Sequence, residues 1–150
     1  MAYSKFKQGI YKPIYPRKCT NAGQIQYRSW LERNFMVWCD KNVNVIEWGS
    51  ENVIIPYISP IDNRVHRYFV DAYIKLQERD KIRKYLVEIK PYKQTLPPTE
   101  SKRKKESTVI YEHATWVINN AKWEAARQFA QKHDMKFIII TDEDLKNVNK

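Results

Sequence analysis

The chain has 150 residues, 43% of them hydrophobic and 13% aromatic, which is enough apolar material to close a core and too much for a disordered chain. Its longest aliphatic runs, such as residues 137–140, fall far short of the ~18 residues of a membrane span, and residues 1–13 hold no apolar stretch of the signal-peptide kind, so a soluble, unexported protein is expected. Lys and Arg number 27 against 17 Asp and Glu, a formal charge of +10, and a field of that sign favours polyanions such as nucleic acids.

Residues 1–20 carry Lys5, Lys7, Lys12, Arg17 and Lys18 without a single acid, interleaved with Tyr3, Phe6, Tyr11 and Tyr15. With Pro13 and Pro16 they read as an extended basic arm ahead of one domain over residues 21–150. Asn21 followed by Gln24 resembles a capping box, and the pattern then turns helical to about Asp40, with Tyr27, Leu31, Phe35 and Trp38 on one face. Residues 43–48 and 52–58 read as strands split by Gly49-Ser50, with Pro56 marking an edge position. Residues 65–76 and 82–90 are strand-like runs around a polar turn, which together predict a β-hairpin. A long basic loop follows over residues 91–112, with Pro91, Pro97, Pro98, Lys93 and the run Lys102-Arg103-Lys104-Lys105. A second helix is predicted from about Thr115 to His133, with Ile118, Ala121, Ala125 and Phe129 in one stripe, and then a buried strand over residues 137–141. The order helix, strands, helix, strand describes a layered α/β domain whose last crossover favours parallel pairing, hence a mixed sheet.

Cys19 and Cys39 are too few for a disulfide framework, and neither they nor His66, His113 and His133 have metal-ligand spacing. A zinc site or a Cys/His nucleophile is therefore not expected. Trp30, Trp38, Trp48 and Trp116 read as core aromatics rather than stacking platforms for bases.

The acids carry more. If the hairpin turns between Arg79 and Asp80, antiparallel partners sum to 159. Asp71 then lies opposite Glu88, with Lys90 on the same face, while Ala72, Ile74, Val87 and Ile89 share the other. Two carboxylates ~4 Å apart at an effective dielectric near 20 repel by about 4 kcal/mol, a cost that a divalent cation offsets. Two carboxylates plus a backbone carbonyl are hard oxygen ligands of the kind magnesium takes, and Lys90 can stabilise developing negative charge beside them. The bland alternatives are a solvated Asp71 and a surface cross-strand pair of Glu88 with Lys90. Glu32, at the edge of the first helix's apolar stripe, is either a third acid of the site or an ordinary helix glutamate.

At Asp71 and Glu88-Ile89-Lys90 the chain resembles the PD-(D/E)xK nuclease superfamily. With Glu32 in the context Ser29-Trp30-Leu31-Glu32, and with residues 122–127 and 137–143 downstream, it is similar to TnsA-like nuclease domains over about residues 25–145. Val70 stands where the superfamily name has proline. The whole chain also resembles the nucleases with which T-even-type tailed phages finish their packaged heads. The resemblance implies a restriction-endonuclease-like fold, α/β with a mixed four- to five-stranded sheet flanked by helices. It implies a catalytic set of Glu32, Asp71, Glu88 and Lys90, and magnesium, with manganese as the alternative, held by Asp71, Glu88, the Ile89 carbonyl and Glu32. DNA would be the substrate, contacted by Lys5, Lys7, Lys12, Arg17, Lys18, Arg28, Lys93, Lys102, Arg103, Lys104 and Lys105. Phage head or neck proteins would be partners, a homodimer on DNA one arrangement, and the host cytoplasm or the virion the location. The rival expectation is a DNA-binding head-assembly module that keeps a nuclease scaffold without catalysis.

Overall fold

The computed structural model describes residues 8–146, so Lys5 and Lys7 of the expected basic arm lie outside the described residues. Four strands make the main sheet: β3 (Val45–Ser50), β6 (Ala72–Glu78), β7 (Lys81–Ile89) and β8 (Lys136–Ile140). Their order is β3-β6-β7-β8, antiparallel for the first two pairings and parallel for the last, the mixed sheet expected. Helix α1 (Trp30–Lys41) and helix α2 (Glu106–Lys132) pack on opposite faces. The α1 side buries Phe35, Met36, Trp48, Ala72, Ile74, Val87 and Ile89. The α2 side buries Leu86, Trp123, Ala126 and Ala130. No helix among the described residues is long and apolar enough to cross a membrane.

The hairpin register is the one predicted, with Ala72 opposite Val87 and Glu78 opposite Lys81. Only Arg79 and Asp80 remain for the turn, and Arg79 takes φ 56° to close it, the positive φ that tight hairpins require. The upstream strand differs from expectation. Residues 65–76 are not one strand: β5 (Val65–Phe69) pairs with β4 (Ile54–Ile58) as a separate two-stranded ribbon, and the chain bends at Val70-Asp71 before entering β6. The Val70 N–H goes to the Val53 carbonyl and the Glu51 N–H to the Asp71 carbonyl. The bend is therefore held by the β3–β4 connection, which no pattern within residues 65–76 reveals. Pro56 sits in the ribbon, where a residue without an N–H is tolerated.

The first helix starts later than its apparent capping box. Asn21 pairs instead with the backbone of Ser50, donating to its carbonyl at 2.6 Å and accepting its N–H at 3.1 Å. Gln26–Tyr27 forms a short strand β2 against β1 (Gly9–Ile10), which takes Tyr27 off the helix. The cap is Ser29, whose Oγ accepts the Glu32 N–H at 3.2 Å.

Nor is the N-terminal segment a loose arm from residue 9 on. Tyr11 is buried, and Asp40 accepts its hydroxyl at 2.6 Å together with the Ile14 and Tyr15 N–H groups at 2.6 and 2.9 Å. The expected loop over residues 91–112 is shorter too: a single 3-10 turn at Tyr92–Thr95 precedes α2, which begins nine residues ahead of Thr115.

Candidate active site

The bend at Val70-Asp71 builds the site. Because the chain leaves the sheet there, no β6 residue pairs beyond Val87 on that edge of β7, whose other edge stays paired with β8, and the Asp71 side chain fills the gap: its Oδ2 accepts the Ile89 N–H at 2.8 Å. In an extended strand the carbonyl and N–H of one residue point the same way, so the Ile89 carbonyl shares Asp71's side. Glu88 lies on the opposite face of β7 from Val87 and Ile89 and is only 4% exposed. Its Oε2 accepts the indole N–H of Trp123 from α2 at 2.7 Å.

The two carboxyl groups meet. Burial pushes the pKa of Asp71 well above the usual aspartate range, and the hydrogen bond and charge of Glu88 push it further, with a smaller push from Glu32. The Ile89 N–H works in the other direction. Asp71 therefore keeps its proton to a higher pH than an isolated aspartate does. Over the pair opens a cavity of about 420 Å³ whose wall includes Lys90, Arg28, Arg67, Tyr68 and Lys122. Lys90 is anchored where β7 ends, its N–H donating to the Ile140 carbonyl at 3.0 Å. Asp71, Glu88 and Lys90 therefore face one space, as the hairpin register requires.

Glu32 is close but does not join that wall. Its Oε2 accepts the Arg28 N–H at 2.9 Å, completing the helix cap. Burial raises its pKa, opposed by the Arg28 N–H and guanidinium. Arg28 extends to the cavity and is ion-paired with Glu51. Among the described residues no three His, Cys, Asp or Glu side chains gather to hold a metal, and Glu32 lies outside the wall that Asp71 and Glu88 share. Crowded carboxylates and hard oxygen donors fit magnesium, which keeps several waters and needs no full protein cage.

The expected DNA-contacting residues divide. Lys12, Arg17, Lys93, Lys102, Arg103 and Lys105 are exposed. Lys104 is drawn into a salt bridge with Glu112 at 3.0 Å and a bond to the Thr99 carbonyl at 2.7 Å. Lys18 has a different task from the one expected. Its ammonium donates to the Cys39, Asp40 and Asn42 carbonyls at 2.8, 2.9 and 2.8 Å, which uses all three protons at the C-terminus of α1. The sequence reading missed Arg67, Tyr68, Lys122 and Trp123. The first two lie just upstream of Asp71, and the last two sit on α2, Trp123 being 35 residues beyond Glu88, so no spacing rule links them to Glu88.

The family model for the N-terminal domain of TnsA-like endonucleases matches residues 42–142. The head completion nuclease of Enterobacteria phage T4 is 38% identical over 129 residues, covering 82% of each chain. The matched span contains Asp71, Glu88 and Lys90, the mixed sheet and all of α2. The chain belongs to the TnsA-like endonuclease family, with the restriction-endonuclease-like fold.

Proposed function

We propose that this protein is a magnesium-dependent DNA endonuclease that trims or processes DNA ends while phage heads are completed. The observation that carries the reading is the Asp71–Glu88 carboxyl pair, closed by the Ile89 N–H and facing the same cavity as Lys90. A buried like-charged pair is costly to a fold and useful to a cation site. Asp71, Glu88 and the Ile89 carbonyl would hold magnesium, with manganese as the alternative. When bound, such an ion neutralises charge on the scissile phosphate and eases ionisation of water.

The chain's own groups supply the rest. The Lys90 ammonium, fixed by the backbone bond to Ile140, stabilises the charge that develops on a phosphoryl oxygen as water attacks. Trp123 holds Glu88 in place through its indole N–H, and Glu32 acts at one remove, through its charge on Asp71 and its bond to Arg28. The head-completion role rests on the T4 relative, which bears that name. Phage head or neck proteins are the fitting partners, a homodimer on DNA would allow both strands to be cut, and the host cytoplasm or the virion is the fitting location.

The test is incubation of the purified protein with end-labelled duplex DNA carrying blunt or overhanging termini, in EDTA, magnesium or manganese. Shortening of labelled ends only with a divalent ion is the expected result. DNA binding without cleavage in either ion, with phage head proteins present, would replace the enzyme by a DNA-binding assembly module.

A further inference from the structure

The cavity wall holds more positive charge than the catalytic set uses. Arg28 is cancelled by Glu51, which leaves Arg67, Lys90 and Lys122 beside Asp71 and Glu88. A divalent cation on the two carboxylates would neutralise both, so three positive charges would remain for a ligand. Arg67 and Lys122 belong to none of the ion pairs among the described residues. Both are instead held by rings. The Lys122 ammonium stands 5.9 Å from the Tyr57 ring centre and 5.6 Å from that of Tyr68, and the Arg67 guanidinium stands 5.4 Å from that of Phe69. Aromatic faces orient a cation without neutralising it, so both charges stay available to an anion.

Tyr68 lines the cavity beside Lys122, with its buried hydroxyl next to the Glu88 carboxylate. The three groups come from two elements, Arg67 and Tyr68 from β5 and Lys122 from α2, and they line the same cavity as Lys90.

We infer that Arg67 and Lys122, the latter seated against the Tyr68 ring, form a phosphate grip that holds a DNA backbone phosphate neighbouring the scissile one. The inference rests on the nuclease reading for its ligand. The grip binds ground state and transition state alike, so its loss raises KM with little change in kcat.

The experiment reads binding without turnover. Affinity for a fluorescein-labelled duplex is measured in EDTA across a salt series for the wild type, Arg67→Gln, Lys122→Met and the double variant. Lys122→Met keeps the stem that packs on the two tyrosines, and unchanged thermal melting verifies folding. The salt slope of log K is expected to fall by about one unit per residue removed, and Lys122→Arg should restore it. Wild-type slopes in the folded variants, or a wild type that binds no DNA, would overturn the grip. If the double variant loses two units of slope while no protein cleaves DNA in magnesium or manganese, the grip stands and the nuclease reading falls. If the wild type cleaves while its slope is shared by the double variant, the reverse holds.

Discussion

The Asp71–Glu88 pair shows how one side chain can be shaped by a missing backbone partner. Asp71 takes the Ile89 N–H because β5 has left the sheet, and taking it brings the carboxyl against Glu88. Its position was legible in the sequence because the Arg79-Asp80 turn admits a single register. Its hydrogen bond was not, since the bend depends on Val53 and Glu51, remote in sequence. The raised pKa of Asp71 has a measurable sign. A carboxyl whose folded pKa lies above its unfolded one contributes stability below the unfolded value, ordinarily 3.8, and loses it as pH rises through the folded value. The melting temperature of metal-free wild type should therefore fall relative to that of Asp71→Asn as pH rises above about 4. Magnesium should narrow the gap at the upper end by stabilising only the wild type. A gap that is independent of pH in thermal melts would contradict this account of the pair.

Among the elements, the capped ends of α1 explain why basic residues near one another in sequence do different work. Lys12 and Arg17 are exposed, while Lys18 spends its protons on the last carbonyls of α1, where a positive charge also suits the helix dipole. Replacing Lys18 by Met should cost about 1–3 kcal/mol in chemical denaturation while leaving the salt slope of DNA binding unchanged. A lowered slope with wild-type stability would return Lys18 to the DNA-contacting set. The same comparison shows where periodicity misleads. Tyr27 matches the spacing of Leu31 and Phe35 yet lies in a strand, because Ser29 rather than Asn21 caps the helix. The first turns of α2 carry no core-facing stripe, with Ile110 and Tyr111 exposed, so a hydrophobic period had nothing to mark before Thr115.

At the scale of the whole molecule, the helix–strands–helix–strand order and the parallel β7–β8 pairing were readable because a crossover through one long helix leaves few alternatives. The ribbon of β4 and β5 was not readable, because alternation alone does not say which strand a strand will pair with. That ribbon and α2 converge on the site from opposite directions in sequence, which is why Arg67 and Lys122 escaped a reading by motif. In the proposed function the +10 charge brings a polyanion to the surface, and the carboxyl pair and Lys90 turn contact into chemistry. The most direct measurement of that claim is single-turnover cleavage of duplex DNA in magnesium by the wild type, Asp71→Ala and Lys90→Ala, each verified as folded by its thermal melt. The account predicts a loss of at least about 100-fold in rate for each variant. A folded Asp71→Ala or Lys90→Ala protein that cleaves at the wild-type rate would contradict it.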